Sequence, residues 1–244
     1  MLRRIIRRFG YDVVPQATEL DPIRDLSEEQ KKIIWKAKPY TMTSLERMAA
    51  LVNAVYYVVQ NRIPGDIAEC GVWRGGSMMV VAKALLANGD RSRSLYLYDT
   101  FEGMSAPTSA DLSAEGTAAQ TLLDQAPREA AIWCCATLDE VRANLLSTGY
   151  PAEKIQLIKG KVEDTIPKTL PSALSLLRLD TDWYESTKHE LLHLYPLLHR
   201  QGILIIDDYG DWQGARKAVD EYFLNSKVFL HRIDRTGRMV VKTS

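Results

Sequence analysis

Short β-rich runs alternate with helical stretches along most of this chain, beginning at residue 66. The β-rich runs lie at 66–70, 94–98, 155–159, 176–179 and 202–206. Helical periodicity fills 77–88, 138–147, 185–199 and 213–225. This alternation predicts an α/β fold with a parallel sheet that is covered by helices on both faces. At 244 residues the chain is long enough for one such domain with a large core.

The C-terminal end departs from this alternation. Two strand-like runs, at 227–233 and 238–242, flank an Arg-Thr-Gly turn at 235–237. Such an arrangement predicts a hairpin. One antiparallel strand is therefore expected beside an otherwise parallel sheet.

The N-terminal end is helical and basic. Periodicity predicts helices over 27–37 and 43–62, the second capped by Thr43 or Ser44 and ended by Pro64. Residues 11–25 contain two prolines and suggest a linker. Residues 1–9 pair arginines with apolar side chains, which predicts a short amphipathic helix with a packing face at a subunit contact. Loose attachment to an anionic membrane surface is the alternative.

The composition limits the classes of partner that we expect this chain to bind. Lys plus Arg and Asp plus Glu both number 31, so the formal net charge is zero, which argues against nucleic acid. No run of about 20 apolar residues exists, so we expect no stable membrane insertion. Three cysteines without a CxxC pair, and no signal-peptide pattern, favour a reducing cytoplasm. We expect a small-molecule partner and a homo-oligomer.

A glycine-rich turn follows the first predicted strand. Residues 66–77 read DIAECGVWRGGS, that is, E-x-G-x-x-x-G-G-S rather than the G-x-G-x-x-G of dinucleotide folds. Glu69 is suited to an ammonium group, and Ser77 can cap a helix whose free N–H groups favour an anion. Asp99, at the end of the second strand, is suited to ribose hydroxyls. The set fits S-adenosylmethionine better than NAD, which has no ammonium group. A purely structural turn is the alternative.

Four carboxylates follow two neighbouring strands. Asp180 and Asp182 end one, and Asp207 and Asp208 end the next. At one sheet edge they would repel one another unless a cation neutralised them, and oxygen ligands favour Mg²⁺, Mn²⁺ or Ca²⁺ over zinc. Separately solvated strand-end aspartates are the alternative.

Two other segments call for interpretation. Residues 189–193 read HELLH and match the H-E-x-x-H zinc motif. The match is short, and a third ligand is poorly supplied downstream, so we favour a surface helix over a metallopeptidase. The stretch from 103 to about 129 is long, polar and rich in Ala, Ser and Thr, which is typical of a functional loop such as a lid.

Five strings together resemble a known family. They are YTMTS at 40–44, GDIAECGVWRGGS at 65–77, YDTFEGM at 98–104, LDTDWYEST at 179–187 and IDDY at 206–209. This combination resembles the macrocin O-methyltransferases, Mg²⁺-dependent S-adenosylmethionine enzymes that methylate sugar hydroxyls of macrolides, aminocoumarins and other glycosides. The resemblance runs from about residue 40 to 225, and the segment at 104–135 has no counterpart in it.

The resemblance implies a Rossmann-like class I methyltransferase fold with a mostly parallel seven-stranded sheet. Residues 1–62 would be a helical segment that helps to cover the active site. Residues 63–244 would be the methyltransferase domain, with a lid-like insertion at about 104–135. The acceptor would be a sugar hydroxyl of a glycosylated natural product or of a polysaccharide precursor.

The resemblance also implies residue roles. Asp180, Asp207 and Asp208 would hold Mg²⁺, and Asp182 would be the general base. The cofactor would contact Thr41, Met42, Glu69, Gly71, Ser77, Asp99, Val162, Glu163 and Asp180. The more distant catechol O-methyltransferase uses a lysine base just after the first metal aspartate, where this chain has Trp183.

The chemistry explains why such a set would be needed. A sugar hydroxyl has a pKa of about 15–16, near that of water. An ordinary aspartate is about 12 pKa units weaker as a base, a gap of roughly 16 kcal/mol. A divalent cation that lowers the pKa of the hydroxyl closes part of that gap. Two alternatives remain: methylation of an aromatic diol, and a non-catalytic cofactor-binding protein that serves in assembly.

Overall fold

Seven strands form one twisted sheet. A computed structural model describes residues 21–166 and 168–243, so the predicted helix at 1–9 and most of the 11–25 linker lie outside the described residues. The strands are β1 (Asp66–Cys70), β2 (Leu95–Asp99), β3 (Ile155–Lys159), β4 (Leu174–Leu179), β5 (Leu198–Ile206), β6 (His231–Arg232) and β7 (Arg238–Val241).

The sheet has the order β3–β2–β1–β4–β5–β7–β6. The four pairs among β1 to β5 are parallel, whereas β7 runs antiparallel to both β5 and β6. The predicted mostly parallel sheet with a C-terminal antiparallel hairpin is confirmed. Strand order reverses between β1 and β4, and ligands of open α/β sheets bind at such a switch point.

Helices cover both faces of the sheet. They are α1 (Glu28–Ala37), α2 (Leu45–Gln60), α3 (Gly76–Ala87), α4 (Ala119–Gln125), α5 (Leu138–Leu146), α6 (Val162–Thr165), α7 (Tyr184–His193) and α8 (Gln213–Phe223). Successive strand residues point to opposite faces, so Ile67 enters a core with α1, α2, α3 and α5, while Ala68 enters another with α6, α7 and α8.

The N-terminal helices are part of the sheet domain. Ile34 of α1 and Val55 of α2 are fully buried in the same core as Ile67. Of the two predicted caps, Ser44 is the one used: its Oγ accepts the backbone N–H of Arg47. Helix α2 therefore begins at a defined point and holds the preceding segment against α3.

Two predicted boundaries are wrong. The helix expected over 185–199 ends at His193, and β5 begins at Leu198. Pro196 lies between them in a 3-10 turn, where its missing N–H cannot continue an α-helix. The strand expected over 227–233 is reduced to His231–Arg232. Phe229, ahead of it, is 80% exposed.

The segment at 104–135 is more structured than a loop. It contains α4, which buries Ala119 and Leu123 against Trp183. Asp111 is fully buried and ties the segment to α7: one carboxylate oxygen accepts from the N–H of Thr108 at 2.6 Å, and the other from the N–H of Tyr184 at 2.7 Å. The insertion is thus anchored beside the strand ends of the sheet.

The lengths and polarity of the helices decide whether any of them could cross a membrane. Within residues 21–166 and 168–243, every helix is too short or too polar to traverse a bilayer.

Candidate active site

A cavity of about 400 Å³ opens at the carboxyl ends of the parallel strands. Eleven residues predicted to be functional line this cavity. They are Thr41, Met42, Gly71, Ser77, Asp99, Val162, Glu163, Asp180, Asp182, Asp207 and Asp208. Glu69 is the predicted cofactor residue that does not.

The glycine-rich turn is shaped by contacts within the chain. Gly71 has φ +79°, and a Cβ there would lie 1.9 Å from the carbonyl oxygen of Asp180, so only glycine lets the ends of β1 and β4 touch. Gly75, with φ +85°, occupies the N-cap of α3. The prediction that Ser77 caps this helix is therefore wrong. Ser77 lies in the first turn and faces the cavity.

Asp99 joins the glycine-rich turn to the end of β2. One carboxylate oxygen accepts the N–H groups of Val72 and Trp73 at 2.6 and 3.1 Å, and the other accepts that of Phe101 at 2.7 Å. Burial raises the pKa of Asp99 above its usual value, although these backbone donors oppose the rise. Asp99 lines the cavity and still has acceptor capacity, because a carboxylate has about four lone-pair sites.

Glu69 is fully buried under the strand ends. Its Oε1 accepts from Nη1 of Arg178 at 2.7 Å, while its Oε2 has no hydrogen-bond partner among the described residues. Burial outweighs the nearby guanidinium and raises the pKa of Glu69 to about 8. Its contact with an ammonium group stays a prediction.

Three carboxylates meet at the mouth of β4 and β5. One carboxylate oxygen each of Asp180, Asp207 and Asp208 lies within 4.8 Å of the others, the one such group of three ligating side chains in the described part of the chain. The register explains the meeting: Leu179 pairs with Ile206, so the residues that follow them emerge side by side. Separately solvated aspartates are thereby excluded.

Arg178 lies behind this group and was missed by the sequence analysis. Its side chain is 3% exposed, and its guanidinium donates to Asp180 at 2.6 Å, to Asp207 at 2.5 Å and to Thr43 Oγ1 at 3.0 Å, besides Glu69. Residues two apart on a strand share a face, which places Arg178 on the same side as Asp180. A charged residue inside the apolar run LSLLRL was the available signal.

Arg47, also missed, reaches the same group from α2. Its Nη1 donates to Oδ2 of Asp207, and its Nε donates to Oδ2 of Asp234 at 3.0 Å. Arg47 lines the cavity. Both oxygens of Asp207 are therefore engaged by arginines that lie 131 positions apart in the sequence, at 47 and 178.

Asp182 faces the cavity, at the sheet edge where the four carboxylates were predicted to gather. It does so from a left-handed backbone conformation with φ +66°, and not from a straight continuation of β4. Its backbone N–H donates to Oδ2 of Asp208 at 3.2 Å. Burial, reinforced by the charge of Asp180, raises the pKa of Asp182 to about 7. Its carboxyl group can thus hold or release a proton near neutral pH.

The insertion supplies part of the wall. Met104, Ser105 and Cys134 line the cavity. The indole N–H of Trp183 donates to the carbonyl of Ser105 at 3.1 Å. The Trp183 ring packs edge-on against Trp212, with the two ring centroids 4.9 Å apart. Two tryptophans next to Asp182 therefore hold the insertion over the strand ends.

The H-E-x-x-H segment lacks a third ligand among the described residues. The rings of His189 and His193 lie 4.1 Å apart on α7, and His193 Nδ1 is 2.8 Å from the carbonyl of His189. Glu190 is buried and accepts from Thr181 Oγ1 at 2.9 Å. In residues 21–166 and 168–243 these side chains are not part of any three-ligand group.

Comparison with known proteins identifies the family of this chain. A family model described as Macrocin-O-methyltransferase (TylF) matches residues 14–241. The demethyldecarbamoylnovobiocin O-methyltransferase of Streptomyces niveus is 32% identical over 205 residues, covering 83% of this chain and 76% of the relative. A tetracenomycin-C rhamnosyl 4'-O-methyltransferase of Streptomyces olivaceus is 34% identical over 217 residues, covering 89% and 77%.

Solved structures agree on the fold. The O-methyltransferase NovP superposes with a TM-score of 0.73 at 31% identity, covering 84% of this chain and 83% of NovP. The calicheamicin methyltransferase CalS11 superposes with a TM-score of 0.58 at 18% identity, covering 88% and 93%, which supports the class I methyltransferase fold alone. The chain is therefore an O-methyltransferase and belongs to the macrocin O-methyltransferase family.

Proposed function

We propose that this enzyme transfers the methyl group of S-adenosylmethionine to a sugar hydroxyl of a glycosylated natural product or of a polysaccharide precursor, with Mg²⁺ as cofactor. The observation that carries the proposal is the meeting of Asp180, Asp182, Asp207 and Asp208 in one cavity with the glycine-rich turn. The relatives methylate novobiocin and rhamnosyl-tetracenomycin precursors, according to their names, which supports a glycoside acceptor.

The donor set fits a magnesium ion. Asp180, Asp207 and Asp208 offer only carboxylate oxygens, within 4.8 Å of one another, and hard oxygen ligands suit Mg²⁺ better than zinc. These three residues would hold the ion. When bound, Mg²⁺ supplies Lewis acidity that lowers the pKa of a coordinated hydroxyl.

The cavity also fits the cofactor. Ser77 lies in the first turn of α3, where unpaired N–H groups and the helix dipole favour the methionine carboxylate. Asp99 would accept from the ribose, Val162 and Glu163 would lie beside the adenine, and Thr41 with Met42 would line the methyl-donor end.

The assignment of Asp99 is testable by calorimetry. The Asp99→Ala variant should bind S-adenosylmethionine at least tenfold more weakly than the parent, because it loses a ribose acceptor and the three N–H contacts that shape the turn. NADH should show no binding. Binding of NADH but not of S-adenosylmethionine would overturn the cofactor assignment.

Asp182 would act as the general base. The pKa of Asp182, about 7, lies closer to that of the acceptor hydroxyl than the pKa of an ordinary aspartate does, so Asp182 is the stronger base. The N–H of Asp182 is held by Asp208, which restricts where the carboxylate can point. Asp182 would take the proton of the acceptor hydroxyl as the methyl group transfers from sulfur to oxygen.

Two segments would cover the reaction. The N-terminal segment within 1–62 brings Thr41 and Met42 to the cavity, and Met42 is 48% exposed at its rim. The insertion at 104–135 brings Met104 and Cys134. We propose that both exclude water from the methyl-transfer site, as cover and lid respectively.

The wider setting follows from the same proposal. Three free cysteines, Cys70, Cys134 and Cys135, suit a reducing cytoplasm. A homo-oligomer is proposed as well, and light scattering of the purified protein would measure it.

The deciding experiment is an acceptor panel with labelled S-adenosylmethionine and Mg²⁺. It would contain demethyldecarbamoylnovobiocin, a rhamnosylated polyketide, a nucleotide-linked sugar and a simple catechol. Label transfer to a sugar-bearing acceptor supports the proposal. Transfer to catechol alone would shift it to aromatic diols. Cofactor binding without transfer to any of the four would overturn the proposed acceptor class.

A further inference from the structure

The two arginines on Asp207 are held very differently. Arg178 is almost fully buried and is shared by Glu69, Asp180 and Thr43 as well as Asp207. Arg47 lies at the cavity wall, with 15% of its side chain exposed. If a cation approached Asp207 from the cavity, Arg47 could move, whereas Arg178 could not leave without stranding the fully buried carboxylate of Glu69 and giving up its pair with Asp180.

Arg47 also has a second acceptor ready. Its Nε donates to Asp234, which belongs to the turn between β6 and β7 and lies outside the cavity lining. Asp234 is itself fixed: Ser44 Oγ donates to it at 2.6 Å, and the N–H groups of Thr236 and Gly237 donate at 2.9 and 2.6 Å. Arg47 can therefore release Asp207 and remain anchored.

The negative charge of the neighbouring aspartates explains why Arg47 pairs with Asp207. Asp207 is 3% exposed, and its neighbours Asp180 and Asp208 are carboxylates too. Without a metal ion this group would repel itself, and a buried charge needs a partner. The guanidinium of Arg47 meets that need from the side that faces the cavity.

We propose that Arg47 is an exchangeable counter-cation: it neutralises Asp207 in the metal-free protein, and it yields Asp207 to the divalent cation while staying tethered to Asp234. The inference rests on the proposed metal site. It makes Arg47 a residue that lowers metal affinity and stabilises the metal-free fold. Each positive charge near a dication costs affinity through Coulomb repulsion.

The first test is a magnesium titration by calorimetry on metal-free protein without S-adenosylmethionine. Arg47→Gln should bind Mg²⁺ about tenfold more tightly than the parent. Its melting temperature without metal should be lower, and the rise on adding Mg²⁺ should be larger. The matched control is Arg235→Gln, which removes an equal charge from a cavity-lining arginine that pairs with Asp211 rather than Asp207, and it should change Mg²⁺ affinity less than twofold.

The second test removes the ion pair between Arg47 and Asp234, which we call the tether. Asp234→Asn leaves Arg47 to Asp207 alone, so Mg²⁺ should bind about threefold more weakly. In the Arg47→Gln protein, Asp234→Asn should not change the Mg²⁺ affinity, because the arginine that competes with Mg²⁺ for Asp207 is gone. An equal weakening in both backgrounds would mean that Asp234 acts by its own charge, and the tether would be wrong.

The outcomes separate this inference from the function proposal. Parent protein that binds Mg²⁺, with Arg47→Gln equal or weaker, overturns the counter-cation and leaves the metal site standing. No Mg²⁺ binding by either protein overturns the metal site and the counter-cation together. If Arg47→Gln fails to fold by circular dichroism, Arg47→Lys replaces it. One ammonium group cannot hold both carboxylates, so that variant should bind Mg²⁺ about threefold more tightly, and equal or weaker binding overturns the proposal.

Discussion

Two groups of buried acids meet at the strand ends, and their charges are neutralised in opposite ways. The arginine cluster consists of Glu69, Asp180 and Asp207 around Arg178 and Arg47. Arg178 pairs with the three acids at 2.5–2.7 Å, and Arg47 pairs with Asp207. The aspartate pair consists of Asp182 and Asp208, and neither forms an ion pair with an arginine in the described residues.

Burial raises the pKa of both members of the aspartate pair. For Asp182 the value is about 7, and for Asp208 the pKa lies well above its usual range, with the charge of Asp182 adding to the effect. Arg178 and Arg47 therefore supply permanent positive charge to the arginine cluster, in which Glu69 also has a raised pKa, of about 8, whereas the aspartate pair adjusts only by holding a proton. The first arrangement suits fixed positions for a cation, and the second suits proton transfer.

Metal removal should have the largest effect on this comparison. EDTA should abolish methyl transfer, and Mg²⁺ should restore it, because the proposed mechanism needs a divalent cation, which Asp180, Asp207 and Asp208 would hold, to lower the pKa of the acceptor hydroxyl. The measurement is transfer of labelled methyl with and without the chelator. Full activity in EDTA would remove the metal from the mechanism, and restoration by zinc alone would revive the H-E-x-x-H segment as a candidate.

Asp207→Ala should break the arginine cluster. It removes the acceptor that Arg178 and Arg47 share, so Arg178 keeps only the carboxylates of Glu69 and Asp180, and Arg47 keeps only that of Asp234. A buried donor that loses one acceptor in this way costs about 1–3 kcal/mol of stability. Turnover should fall on the order of 10³-fold or more, without rescue at ordinary Mg²⁺. Denaturant unfolding and methyl transfer measure the two effects.

A matched control distinguishes burial from charge. Asp220→Asn removes an exposed aspartate whose pair with Arg216 spans 3.6 Å on α8. Its stability should change by less than about 0.5 kcal/mol. If Asp207→Ala were no more harmful than Asp220→Asn, the arginine cluster would have no structural role.

Asp182→Asn should disable the aspartate pair without touching the arginine cluster. The amide keeps the shape of the side chain but cannot accept a proton at neutral pH. The kcat should fall about 10²- to 10⁴-fold, with S-adenosylmethionine and Mg²⁺ binding retained by calorimetry. Loss of Mg²⁺ together with activity would make Asp182 a ligand instead. Near-normal turnover would mean that the hydroxyl needs no carboxylate base.

The pH dependence of stability should be the smallest effect. In the metal-free protein the pKa of Asp182 is raised to about 7 and that of Glu69 to about 8, so the folded state holds protons that the unfolded chain has released above about pH 4–5. Stability should therefore fall as pH rises from about 5 to 8. Denaturant unfolding in EDTA measures the slope. Asp182→Asn should flatten its lower part, and an unchanged slope would contradict the raised pKa.

The sequence predicted most of what depends on local pattern. The strands at 66–70 and 155–159 have the predicted bounds, and α2, α3, α5 and α8 lie within a few residues of theirs. The meeting of Asp180, Asp207 and Asp208 was also predictable, because acids that end adjacent parallel strands emerge at one edge. The role of each acid stays a prediction until the variants are measured.

Other features depended on contacts between distant segments. Neither Arg47 nor Arg178 lies in a sequence motif from which its carboxylate partners could be predicted. Which carboxylates they bind follows from strand order and register, and from the packing of α2 against the sheet. The Asp111 anchor of the insertion is similar, because it joins residues 73 positions apart.

By itself, then, the sequence determined the fold class, the edge at which the acids gather and the family to which the chain belongs. Hydrophobic periodicity and short strings encode these, and both act within a few residues. The tertiary structure alone decided how each acid is neutralised. The extent of burial and the groups within about 3 Å together decide whether a carboxylate is neutralised by an arginine, by a proton or by both. For Asp207 that neighbour comes from residue 47, and for Asp182 it is another aspartate.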